Sequence, residues 1–197
     1  MAIRFPEPPD DVARAARPER PGGGAGAFGF DAPAPGGAPA VPPHQVFTAG
    51  LDQLTAAERP EMSLAAEPTW RVSTLDREGR PAAAEMRPDE LGGAPASVGE
   101  DRFGPAIQEA LTVAGGDARV QGADYEARLF RVPALKVLAL WLHDEQHPDL
   151  FVPLEQAAGV TPHRVYDHEA FMAALRGAAE GQLAHYRDAE RPDELGS

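Results

Sequence analysis

The clearest pattern along the chain is a pair of apolar stretches past its middle. Asp124 to Val132 (DYEARLFRV) alternates polar and apolar positions, the period of a strand with one face in a core. Ala134 to Leu142 (ALKVLALWL) is apolar almost throughout, with Lys136 the exception. On an extended chain Leu135, Val137, Ala139 and Trp141 point one way, and Leu138, Leu140 and Leu142 the other. Such a strand is expected to be central and buried on both faces. Pro133 has no amide hydrogen to give to a ladder and marks the bend between the two strands. Leu150 to Leu154 (LFVPL) predicts a third strand, which ends or lies at an edge because of Pro153.

Weaker patterns surround this centre. Trp70, Val72 and Thr74 alternate with Arg71 and Ser73, and Asp76 to Gly79 predicts the turn of a hairpin that returns through Ala82 to Met86. Phe47, Leu51 and Leu54 have helical spacing, although Gln45 to Thr48 also suits a strand. Residues 87–101 read as a loop. A helix is expected from Pro105 to Gly115–Gly116, with Phe103, Ile107 and Leu111 on one face. A last helix is expected from His168 to Arg187, capped by Asp167 and stapled by Tyr166 against Phe171. Its apolar stripe is Phe171, Met172, Leu175, Ala179, Leu183 and Tyr186. The order of elements predicts a single α+β domain over 45–188, in which two or three helices pack on one face of a largely antiparallel sheet. Residues 189–197 read as a flexible tail.

Residues 1–44 read as a disordered arm. PGGGAGAFGFDAPAPGGAPAVPP, residues 21–43, has too few large apolar groups to offset about 1–2 kcal/mol per residue of backbone ordering. The arm suits a tether with a partner-binding role, or a plain spacer. Gly24, Gly26 and Gly29 satisfy the G-x-G-x-x-G spacing of dinucleotide-binding folds. That motif needs a strand before it and a helix after it, and the prolines and glycines on either side exclude both.

Charge and composition narrow the partners. The net charge is −13, which opposes nucleic acid and anionic membrane surfaces and suits, at most, a basic partner. No cysteine is present, which removes disulfides, thiolate nucleophiles and cysteine-ligated metals. No apolar run approaches the roughly 20 residues of a membrane span. The first residues lack the apolar core of a secretory signal, so a cytoplasmic location is expected.

The densest chemistry lies in HDEQHPD, residues 143–149. His143, His147 and Asp149 are the candidate metal ligands, with Asp144 and Glu145 beside them. Zinc holds each ligand at about 2.0–2.2 Å, which requires the two imidazole nitrogens to come within roughly 3–3.5 Å of each other. Four residues of extended chain span about 13 Å, so the rings meet only if the turn itself curls. H-D-E-Q-H also departs from the helical H-E-x-x-H motif in the place of its glutamate. A polar turn between two buried strands accounts for the same residues. Elsewhere no serine lies in G-x-S-x-G, and no phosphate-binding loop is present. The acidic pairs Asp89–Glu90 and Glu100–Asp101 read as solvated charge. His163 and His168 read as surface or capping residues, and Trp70 and Trp141 as core. No catalytic residue and no cofactor are indicated. The reading that follows is a non-enzymatic, cytoplasmic protein-interaction or accessory domain with a flexible tether. Its rival is a small metal-dependent enzyme or metal-binding protein that uses the 143–149 turn.

Overall fold

A computed structural model describes residues 3–15, 41–56, 68–75, 81–87 and 97–189. Its elements are α1 (Asp10–Ala15), β1 (His44–Thr48), α2 (Leu51–Thr55), β2 (Thr69–Leu75), β3 (Pro81–Met86), β4 (Ser97–Glu100), α3 (Gly104–Gly116), β5 (Glu126–Val132), β6 (Val137–His143), β7 (Leu150–Pro153), β8 (Tyr166–Asp167) and α4 (His168–Ala189). Eight strands form one sheet in the order β4-β3-β2-β1-β5-β6-β7-β8. All neighbours are antiparallel except β1 and β5, which run parallel.

The two strands of strongest apolar pattern make the longest ladder. β5 and β6 pair from Glu126 opposite His143 to Val132 opposite Val137. A 3₁₀ turn over Pro133–Leu135 joins them, and Lys136 closes it in the left-handed region at φ 54°. The one charge in ALKVLALWL is therefore a turn residue outside the ladder. β7 continues the sheet on β6 and ends at Pro153, an interior strand that stops where its proline has no amide to give.

Successive residues of β5 and β6 serve opposite cores. Leu129, Leu140 and Leu142 lie with Val46 and Val152 against Ile107, Ala110 and Ala114 of α3. Phe130, Ala139, Trp141 and Phe151 lie against Leu51 and Leu54 of α2 and Phe171, Met172 and Leu175 of α4. The Phe151 and Phe171 rings stack at 4.5 Å, and Phe130 meets Phe171 edge-on at 6.1 Å. The fold is thus the expected α+β domain with a largely antiparallel sheet. The helices, however, do not share one face: α3 covers one side, and α2 and α4 the other. A strand that is apolar on both sides needs cover on both, at about 1.5–3 kcal/mol per fully buried large side chain.

The local expectations at the helix ends hold. Asp167 Oδ1 accepts the Ala170 amide at 2.8 Å, and the Tyr166 ring lies 6.3 Å from Phe171. The ambiguity at 45–54 resolves into both alternatives, a strand through Thr48 and a helix from Leu51. Tyr186, by contrast, stands 48% exposed where α4 runs beyond the core.

Further expectations change. Residues 97–100, read as loop, form β4 and pair with the alanine-rich β3 from Ala82 opposite Glu100 to Glu85 opposite Ser97. A four-residue strand interrupted by Gly99 carries no local signal; its partner alone makes it a strand. Asp101, read as solvated, is 6% exposed. Residues 3–15, within the segment read as an arm, lie against the domain. Arg4 bridges to Glu126 in the parallel sense, and Val12 of α1 is fully buried with Trp70, Val72 and Met86. Residues 16–40 of that arm, the turn at 76–79, Asp89–Glu90 and the tail from 190 lie outside the described residues.

Core on both faces has a direct test. Leu129→Ala and Phe130→Ala, neighbours on opposite faces, are each expected to destabilise the domain by about 3–5 kcal/mol in denaturant unfolding. A single-faced sheet would leave one of them within about 0.5 kcal/mol of the unaltered protein.

Candidate functional site

The turn from His143 to Leu150 folds onto the start of β5. Asp144 organises it. Its carboxylate accepts the Gln146 amide at 2.7 Å and the Asp124 amide at 3.1 Å, and it lies 3.2 Å from Nδ1 of His147. The Gln146 amide is the main reason that the Asp144 carboxyl is held down to about 2, with the Asp124 amide and the His147 ring adding to it. Tyr125 pins the far side of the turn, its hydroxyl donating to the Pro148 carbonyl at 2.9 Å. Burial raises the pKa of that hydroxyl, which keeps it a donor.

The two histidines part company here. His143 Nδ1 lies 2.9 Å from Asp149 Oδ1, while His147 belongs to Asp144. The candidate ligands His143, His147 and Asp149 therefore fall into two pairs, His143 with Asp149 and His147 with Asp144, rather than one cluster. Among the described residues no group of three or more His, Cys, Asp or Glu is placed to hold a metal ion. The turn fastens β6, β7 and the entry to β5 together through its polar side chains.

An extended segment is seated beside this acidic turn. β1 pairs with β5 only from Val46–Leu129 to Thr48–Arg131, which leaves the first residues of β5 open on that side. Arg4 fills the opening. Its amide donates to the Tyr125 carbonyl at 2.8 Å, and its carbonyl accepts the Ala127 amide at 2.7 Å. Its guanidinium donates to the Asp124 carbonyl at 3.0 Å and lies 3.6 Å from the Asp124 carboxylate. The next residue, Phe5, sets its ring edge-on against His44, 5.3 Å between centroids at 86°.

His44 is 1% exposed, and its Nε2 has no hydrogen-bond partner among the described residues. Burial lowers its pKa to about 4; the Arg71 charge adds to this, against a ring hydrogen bond to the Pro42 backbone. Beyond it, across β2 and β3, lies an ion network. Arg71 reaches Asp101 at 2.9 Å, and Arg131 grips both oxygens of Glu85 at 2.8 Å. Arg131 also donates to Thr48 at 2.9 Å. Asp101 accepts the Gly104 amide at 2.9 Å at the start of α3. A Cβ on Gly104 would stand 2.9 Å from Asp101 Oδ2, so glycine is what lets this carboxylate approach. The network's charges are internally matched. Such pairs hold register more dependably than they add stability, since desolvation offsets much of their attraction.

The other singled-out residues are structural. Trp70 and Trp141 are each 3% exposed, and the Arg128 guanidinium lies 5.0 Å over Trp141 and 5.3 Å over Phe47. His163 Nδ1 lies 3.0 Å from Glu109, which ties its loop to α3. His168, at the start of α4, faces the Phe151 ring at 6.0 Å. Sequence reasoning missed Arg4, Phe5, His44, Asp124 and Tyr125. Residue size alone did not mark them, since the glycine- and proline-rich stretch that follows also holds Phe28, Phe30 and Val41.

Comparison with known proteins finds no matching family model, no matching curated protein and no matching solved structure. Among the described residues no helix is long and apolar enough to cross a membrane.

Two predictions follow from this geometry. The pKa of His44 lies below its unfolded value of 6.5, so its contribution is complete above pH 6.5 and is lost as pH falls toward about 4. Over that window stability is expected to drop by about 3 kcal/mol more than in a His44→Leu variant, read as urea midpoints across pH. Zinc added in excess and removed by gel filtration is expected not to stay bound at one equivalent. Stoichiometric zinc that disappears on His147→Ala would reveal a metal centre where two separate pairs are seen.

Proposed function

We propose that the chain is a non-enzymatic interaction domain of the cytoplasm that receives an extended segment of another protein at the acidic end of its sheet. One observation carries the reading: the parallel addition of Arg4 to the open start of β5. Strand addition binds through main-chain hydrogen bonds and leaves side-chain contacts to set preference. The flanking residues favour a basic guest. Asp124 is an exposed carboxylate, and Asp144 behind it stays ionised down to about pH 2. The net charge of −13 points the same way and argues against a nucleic-acid partner.

The magnitudes describe an exchangeable contact. Two backbone hydrogen bonds contribute about 0.5–1.5 kcal/mol each. An exposed ion pair such as Arg4–Asp124 adds about 0–1 kcal/mol. A total of a few kcal/mol corresponds to binding in the millimolar range before further contacts. The rival, a metal-dependent protein built on the 143–149 turn, has less behind it, because His143 and His147 each have their own carboxylate.

A fluorescein-labelled peptide of residues 2–15 is expected to bind the full chain saturably, by anisotropy, and about tenfold more weakly after Asp124→Lys. Undiminished binding to the Asp124→Lys chain would place the guest elsewhere.

A further inference from the structure

Resting on that reading, we infer that the slot beside β5 selects a basic residue followed by an aromatic one, and that the chain's own Arg4–Phe5 is a tethered competitor for it. The two backbone bonds of Arg4 to Tyr125 and Ala127 fix the register of any extended guest. In an extended chain successive side chains point to opposite sides. The slot offers a different surface on each side. Asp124 gives its carbonyl and carboxylate to the guanidinium on one. The buried His44 ring meets the phenyl ring in a T-shaped contact on the other. A guanidinium donates to the Asp124 carbonyl while its charge faces the carboxylate at 3.6 Å, and an aromatic ring has the shape and quadrupole for an edge-to-face contact at 5.3 Å.

Competition follows from covalent linkage. Arg4 and Phe5 are joined through α1 and residues 16–40 to β1, which lies beside the slot. Covalent linkage raises the local concentration of the dipeptide at the slot above that of a free guest. A free guest with equal contacts must outcompete it. The docked dipeptide is held lightly: Phe5 is 36% exposed and the Arg4–Asp124 pair lies open to solvent. The firmer anchor is Val12, fully buried with Trp70, Val72 and Met86, which keeps the segment near the domain when its leading residues leave the slot.

The test titrates a labelled peptide of residues 2–9 (AIRFPEPP) into the full chain and into the full chain carrying Arg4→Pro. Proline removes the amide that donates to Tyr125 and so empties the slot in cis. A second chain variant, Phe5→Ala, removes only the ring contact and guards against any effect of proline on folding. The expected result is at least tenfold tighter peptide binding to Arg4→Pro, a smaller gain for Phe5→Ala, and loss of binding when the peptide itself carries Arg4→Glu. Equal affinity for unaltered and variant chains would overturn the competitor while leaving the interaction site in place. Equal affinity for the two peptides would overturn the selection of a basic residue. Failure of the peptide to bind any of the three chains would overturn the interaction reading itself.

Discussion

The β5–β6 hairpin, apolar on both faces, is the constraint on which the other elements depend. Leu129 and Phe130 are neighbours in the chain but belong to different cores. So do Leu140 and Trp141. A ladder of this kind cannot stay solvated on either side, so α3 must close one face and α2 with α4 the other. β1 and β7 then extend the sheet from its two flanks, and β2, β3 and β4 follow outward from β1. The parallel pairing of β1 with β5 is short. Because it spans only three pairs, it leaves the entrance to β5 unpaired, and that gap is where Arg4 docks.

Polar residues at this end of the sheet are arranged in matched sets rather than gathered around one point. Asp144 holds the backbone of its own turn and of Asp124; Asp149 holds His143; Arg128 holds Glu126 at 2.7 Å. Among the described residues the carboxylate of Asp124 meets only the loosely held Arg4, and both side chains are more than half exposed. The proposed recognition of a basic guest rests on this contrast in strength between the sets. On the other side of the slot, His44 stays neutral because protonation would place a buried cation beside Arg71. The neutral ring can meet a phenyl ring without adding charge to the core.

Legibility in the sequence followed the range of the interactions. β5, β6 and β7, the α4 cap at Asp167 and the Tyr166–Phe171 staple were readable because each rests on residues within a few positions of one another. The division of ALKVLALWL into two faces was readable for the same reason. β4 was not, since SVGE becomes a strand only by pairing with β3. Asp101 looked like surface charge because Arg71, 30 positions earlier, is invisible to a local reading. The histidine-rich turn was legible as a turn. Its use as the support of Asp124 was not, because that bond joins residues 20 positions apart.

The sequence by itself determined the α+β class, the central two-faced hairpin, the acidic charge and the polar character of the 143–149 turn. These follow from side-chain periodicity and composition, which are properties of the chain before it folds. Tertiary structure alone decided that the helices divide between two faces, that residues 3–15 dock, and that His44, Asp124 and Tyr125 frame one slot. These depend on non-local register. Arg4 reaches β5 across more than a hundred residues of sequence, and only the open start of that strand gives its amide and carbonyl a partner.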